Sequence, residues 1–197
     1  YDDVTNVHNM AINEETGFAY LVGSSTLSGG LHIVDIRNPL APVQVIGYDA
    51  DGYIHDTQVV VYRGPDSDYF GREIAFNSAV TEITIADVTN ADLEAPLRIS
   101  AAGYTNGVTV GYVHQGWLTE DQRYFLQNDE LDDDNNGTTR THIWDLADLD
   151  NPIYLGFHDL GTTSIDHNLY VVGNLVFEAN YTTGLRILEM TDLDSAL

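Results

Sequence analysis

The sequence predicts an all-β fold, a β-propeller in which four four-stranded blade repeats are visible, and three observations carry that prediction. A short strand ending in an acid returns four times at a spacing of roughly 45–60 residues, the range expected of propeller blades. Each of these strands is preceded by a hairpin that opens on a histidine. No stretch keeps a 3.6-residue apolar period over the length a helix requires, whereas short β-branched and apolar runs recur throughout.

Residues 1–197 read as a single propeller segment with repeats over about 8–48, 55–104, 114–160 and 167–197. The first repeat opens at His8, and its acid-ended strand is Leu-His-Ile-Val-Asp-Ile at 31–36. Pro42 then opens a further strand at 43–48; proline is tolerated at a strand's first residue, where its missing N–H costs no ladder bond. The second repeat opens at His55 and swells into an excursion over 63–72, a surface position where binding loops are often found. It continues through the acid-ended strand 83–88 to Pro96. The third opens at His114, turns at 119–122, and runs through the strand 141–146 to Pro152. The fourth opens at His167, where Gly173-Asn174 joins two apolar runs as a two-residue hairpin that accepts positive φ. Its acid-ended strand is 185–190.

Both faces of each unit are apolar, and a lone sheet cannot bury both, so the units are expected to stack face to face around an axis. Tyr1-Asp2-Asp3-Val4 matches Tyr48-Asp49-Ala50-Asp51, the tail of a fourth strand, and 191–197 stop short of a fourth strand in the last unit. The expectation is part of a larger ring, with the missing blades as partners. A closed ring of four is the alternative.

An apolar content of 43% suits a packed core, and a formal net charge of −24 repels nucleic acid and anionic membranes while favouring cationic partners and divalent metals. The chain has no cysteine, which excludes disulfides, thiolate metal sites and a cysteine nucleophile. No apolar run approaches the roughly 18 residues of a membrane span.

Several stretches resemble a known family. The acid-ended strands, above all 31–36, resemble the LVIVD repeat. The words His55-Asp56-Thr57-Gln58, Gly71-Arg72-Glu73-Ile74, His114-Gln115-Gly116-Trp117, Asn128-Asp129-Glu130-Leu131-Asp132, Asp166-His167-Asn168-Leu169-Tyr170 and Ala179-Asn180-Tyr181-Thr182 look like the bacterial choice-of-anchor B surface proteins. That resemblance implies a propeller that is exported, held at the cell surface by an anchor that varies between members, and without established enzymatic activity.

Equivalent places in the repeat bring His8, His55, His114 and His167 toward the central channel. There they either lock onto the backbone of a neighbouring blade or, beside Asp56, Gln115 and Asn168, coordinate a transition metal or zinc. Asp132, Asp134 and Asn136 set side-chain oxygens at alternate positions before Gly137, as calcium loops do, with Asp129 and Glu130 able to add ligands. Ile143 stands at the twelfth position, where an EF-hand has its bidentate glutamate. The repeated acids Asp35, Asp87, Asp145 and Glu189 read as scaffold that bonds the following turn, and His32 and His142 as packing residues. No Gly-x-Ser-x-Gly elbow, phosphate loop or dinucleotide fingerprint occurs. The expected function is therefore a secreted or cell-surface scaffold that binds a protein or polysaccharide, stabilised by bound metal such as calcium. A metal-dependent hydrolase or lactonase at the propeller axis, with a histidine or Glu130 moving protons, is the alternative.

Overall fold

Strands fall close to where the repeat places them, except that of the strand expected at 43–48 only Val43–Gln44 is regular, and Tyr48 rejoins the sheet through an isolated bridge to Leu31. A computed structural model describes residues 3–105, 107–191 and 193. The first sheet holds β1 (Asn9–Asn13), β2 (Phe18–Val22), β3 (His32–Asp35) and β4 (Val43–Gln44). The second holds β5 (Asp56–Val61), β6 (Glu73–Ser78), β7 (Ile83–Asp87) and β8 (Leu97–Ala102), and the third β9 (Val113–Leu118), β10 (Tyr124–Asp129), β11 (Arg140–Asp145) and β12 (Ile153–Asp159). The fourth has three strands, β13 (Leu169–Val172), β14 (Leu175–Asn180) and β15 (Gly184–Glu189). Each sheet is an antiparallel meander in chain order, and together they are four blades of a β-propeller. The proposed match at 1–4 and the tail at 191–197 fall partly outside the described residues.

One register governs all four blades. The terminal acid of the third strand pairs with the start of the second: Asp35 with Phe18, Asp145 with Tyr124 and Glu189 with Leu175, each the first residue of its strand, and Asp87 with Ile74, the second residue of β6. Three of these acids do what the repeat led us to expect. Asp35, Asp87 and Asp145 each accept the backbone N–H two residues on, at 2.9, 3.0 and 2.9 Å, so the carboxylate itself ends the strand by building the turn. Glu189, one methylene longer, instead accepts from the Asn174 amide at 3.1 Å. Pro42, Pro96 and Pro152 stand immediately before β4, β8 and β12. Arginines gather on the same acids: Arg37, Arg72 and Arg123 pair with Asp35, Asp87 and Asp145. All seven basic residues are arginine, and each is engaged. Arg63 pairs with Glu15, Arg98 with Asp51, and Arg140 and Arg186 donate to the carbonyls of Asn136 and Leu160.

The innermost strands pack on one another in the order β1, β5, β9, β13, and three apolar layers lie between consecutive sheets. β6 and β10, each covered on both faces, are buried along their whole length. β15 alternates exposed and half-buried residues. The succession does not close, because β13 makes no contact with β1 comparable to those between consecutive inner strands.

Two loops differ from their sequence reading. The excursion 63–72 lies across the junction with the third blade: Asp66 accepts the Leu149 N–H at 2.8 Å and the Tyr69 hydroxyl reaches Asp150 at 3.0 Å. It staples two blades together. The stretch expected to wrap calcium is a single helical turn, α1 (Asp132–Asn136), ended by Gly137 at φ 85°. No helix is long and apolar enough to cross a membrane among the described residues.

Candidate metal centre at the channel mouth

Each repeat-start histidine sits at the entry to an innermost strand and is fixed there by the backbone. The N–H groups of His8, His55 and His167 bond to Val22, Ser78 and Ala179 at 3.0, 2.8 and 2.9 Å, extending the ladders of β1, β5 and β13 by one step. His114 lies within β9 itself. The four imidazoles form a curved column, with ring centroids 4.0, 4.2 and 4.4 Å apart and successive planes tilted by 45°, 46° and 50°. Tyr112 meets His55 edge-on at 5.1 Å, and Tyr181 meets His167 at 5.4 Å.

Hydrogen bonding sets the chemistry of the column. His55 Nδ1 lies 3.0 Å from the His114 carbonyl oxygen. A carbonyl only accepts, so Nδ1 carries the proton and, in the neutral ring, Nε2 keeps its lone pair. His114 turns the same way toward the His167 backbone without reaching full hydrogen-bond geometry. Burial pushes the His55 imidazole down to about 4 and that of His114 to about 3, aided by the neighbouring histidines, so both are neutral at neutral pH. The backbone lock and the metal site are thus compatible: a backbone carbonyl on Nδ1 is the arrangement that orients a ligating imidazole.

Nε2 of His114 faces a Glu130 carboxylate oxygen at 3.6 Å, and ligand atoms of His114, Glu130 and His167 all lie within 4.8 Å of one another. The Tyr181 hydroxyl holds the other Glu130 oxygen at 3.3 Å, and the Glu130 N–H is bonded to the Tyr112 carbonyl at 3.0 Å. Ligands of a four-coordinate zinc, each about 2.0–2.2 Å from the ion, lie roughly 3.3 Å apart, so a small inward movement completes three donors of a site. His114 is buried, while Glu130 and His167 are half-buried and reachable from solvent.

The other predicted site residues have different work. His8 and His55 stay in the column but outside the three-donor group. Asp56, which burial raises to about 6, accepts the Asn9 amide at 2.5 Å, and the Gln115 amide exchanges two bonds with the Leu169 backbone, so both join neighbouring blades. Asp129 accepts three backbone N–H groups, from Gly111, Tyr112 and Leu131. Asp132 is buried against His142 at 2.8 Å and also accepts the Asn136 amide, while Asn136 exchanges bonds with Thr109. Asp134 lies on the exposed side of α1. Among the described residues these groups do not gather into one ligand set with Glu130. His142 is the packing residue expected, stacked on Tyr104 at 4.0 Å. His32 is buried too and bonded to the Thr26 hydroxyl.

Sequence reasoning missed two acidic clusters. Asp66, Asp148 and Asp150 converge between the second and third blades, but they already accept bonds from Leu149, Asn151 and Tyr69. Between the third and fourth blades lies a fully buried network: Asn128 donates to Asp166 at 2.6 Å, and Thr141 and Asn180 donate to Glu178 at 2.6 and 2.7 Å. Burial, with Glu178 nearby, lifts the Asp166 carboxyl to about 9. One signal was available: Val7, Ile54 and Val113 precede the first three repeat histidines, and Asp166 precedes the fourth.

No protein-family model matches the chain, and neither does any curated protein. Solved structures do. Raptor from Chaetomium thermophilum is similar at a TM-score of 0.68 and 11% identity, over 98% of this chain and 16% of that one. The computationally designed Ika4 protein aligns at 0.55 and 10% identity, over 95% of this chain and 92% of that one. A structural genomics protein of unknown function from Bacteroides thetaiotaomicron VPI-5482 aligns at 0.50 and 13% identity, over 91% and 42%. The chain therefore spans a small part of Raptor and less than half of the Bacteroides protein. At these identities the likeness concerns the propeller fold alone.

Proposed function

We propose that the chain is an exported, cell-surface β-propeller that acts as a binding scaffold for a protein or polysaccharide, with a transition metal or zinc held at its channel mouth by His114, Glu130 and His167. One observation carries the metal: two imidazoles and a carboxylate converge where a backbone carbonyl engages Nδ1 of the adjoining column histidine and burial keeps His114 neutral. The surface setting rests on the resemblance to choice-of-anchor B proteins and on the strong acidity, which suits cationic or sugar-bearing partners better than anionic ones. Calcium at 132–136 has weaker support, since Asp132 is already committed to His142.

Metal analysis of purified protein, with zinc titration by calorimetry, tests this reading. The expected result is one zinc per chain, lost in a His114→Ala, His167→Ala variant and weakened in Glu130→Gln. Equal zinc binding by all three proteins would sink it. A hydrolase is the second reading, favoured by the same geometry, because three protein donors leave a fourth position for an activated water. Zinc-dependent cleavage of a lactone or nitrophenyl ester that fails in Glu130→Gln would support it.

A further inference from the structure

Two positions of the repeat turn acidic in the fourth blade alone, and the fold brings them together. Val7, Ile54 and Val113 precede the first three repeat histidines, whereas Asp166 precedes the fourth. On the second strand of each blade, the residue opposite the second position after the histidine is Leu21, Asn77 and Gln127, then Glu178. Both acids reach the third blade, Asp166 accepting from the Asn128 amide and Glu178 from the Thr141 hydroxyl, at 2.6 Å each. Asp166 is 1% and Glu178 0% exposed.

No side-chain cation answers this pair. The chain contains no lysine. Arg186, directly across from Glu178 on β15, donates to the Leu160 carbonyl instead. Among the described residues no arginine or histidine lies within ion-pair distance of either carboxylate. Taking two carboxylates out of water beside each other is costly unless positive charge joins them. Ion-free protein answers that crowding by keeping Asp166 protonated.

The neighbouring amides show what kind of group is missing. Asn128 and Asn180, both fully buried, each put the amide nitrogen on a carboxylate of the pair, at 2.6 and 2.7 Å, and leave the amide oxygen with nothing to accept from. Half a turn of an amide exchanges its nitrogen and oxygen in the same place. A cation between the carboxylates repels the N–H groups and attracts the oxygens, so one ion satisfies two orphaned acceptors and two crowded anions. We propose that Asp166, Glu178, Asn128 and Asn180 bind one calcium ion between the third and fourth blades, with the Thr141 hydroxyl as a further oxygen.

Donor chemistry selects the ion. Every donor is oxygen, which suits a hard cation and not the zinc or transition metal of the channel mouth. A fully buried site suits calcium, which takes about 6–8 oxygens in flexible geometry, better than magnesium, which keeps several of its waters. None of these residues belongs to the loop 132–136, and the inference does not depend on metal at His114, Glu130 and His167. The ion pins Asp166, and with it the entry to β13, to the third blade.

Calcium content and thermal unfolding in calcium, magnesium or chelator test it. The wild type is expected to carry one calcium per chain through a desalting column, since a buried ion leaves only when the junction opens. Its thermal midpoint in calcium at about 100 times the dissociation constant should exceed that in chelator by about 5 °C. At a net charge of −24 any divalent ion gives some general stabilisation, so magnesium is the control and should give a smaller shift. Asp166→Asn and Glu178→Gln keep the size of the side chain and should each weaken calcium binding by about 100-fold, with wild-type circular dichroism in chelator. Asp134→Asn, in the acidic loop, should keep the wild-type affinity. A wild type that holds no calcium and gains no more from calcium than from magnesium overturns the proposal without any variant. So does wild-type affinity in both junction variants, or its loss in Asp134→Asn alone.

Discussion

The junction between the second and third blades and that between the third and fourth are built from equivalent strands in the same register, but they bury different chemistry. The former is large and apolar, with Phe76 stacked on Phe125 at 6.1 Å and Trp144 against Tyr154 at 5.1 Å, and loop 63–72 clamps its rim. The latter has a smaller apolar layer around Leu126, Leu169 and Val176. Beside that layer it encloses Asp166, Glu178 and their amide and hydroxyl partners, and the side-chain amide oxygens of Asn128 and Asn180 lack protein partners. Register follows from the pattern of strands and turns, so a repeat can keep it while single positions change from oil to acid. The apolar junction contributes mainly through buried area. The polar one depends on every group being matched, and is therefore sensitive to proton concentration.

The largest expected effect attacks the apolar junction. Phe76→Ala should cost about 3–5 kcal/mol in chemical denaturation, by the same amount at pH 7 and pH 9, since it removes buried area and leaves a cavity. A cost that changed strongly between these pH values would erase the contrast between the junctions.

The polar junction should show the reverse. Because its folded value is raised to about 9, Asp166 stabilises fully below the ordinary carboxylate range, and that contribution is lost as pH rises toward 9. Between pH 7 and 9 the wild type should lose up to about 1.4 kcal/mol per pH unit on this account, and Asp166→Asn should remove that slope. Parallel stability curves for the two proteins would show that Asp166 ionises freely.

Close approach within the third blade predicts the next effect. A Cβ on Gly116 would lie 2.3 Å from the Phe125 ring and 2.7 Å from the Leu126 carbonyl oxygen, so Gly116→Ala should cost about 1–3 kcal/mol and lower the thermal midpoint. The smallest effect is a gain. Val80 holds φ at 68°, a region hostile to β-branched residues, while its carbonyl accepts the Val113 N–H at 2.7 Å. Val80→Gly should stabilise by about 1 kcal/mol if relief of strain outweighs the added freedom of the unfolded chain.

Blade strands, turn-building acids and the histidine column were legible in the sequence because each depends on local spacing repeated several times. The prolines before β4, β8 and β12 and the Gly173-Asn174 hairpin were read correctly for that reason. What escaped depends on single pairings with no repeat behind them. Asp132 looked like a cation ligand because its partner, His142, stands on another element and is joined to it only by the fold. Glu178 meets Thr141 across a blade junction, 37 positions away. Of the three residues proposed to hold a metal, the histidines were visible as repeat positions. Glu130 was read as an added ligand of the acidic loop or as a proton carrier at the axis, and only the course of the chain after β10 sets its carboxylate beside His114 and His167.

The arginines on the blade rims have a practical consequence. A chain without lysine offers trypsin cleavage only after seven residues, and in the native fold every one of their side chains is already held by a carboxylate or a backbone carbonyl. The protease must first pull such a side chain from its anchor, so digestion should be governed by how often a rim opens. Tryptic half-life thus becomes a clock for local unfolding, and amine-directed dyes or cross-linkers have only the chain's α-amino group to attack.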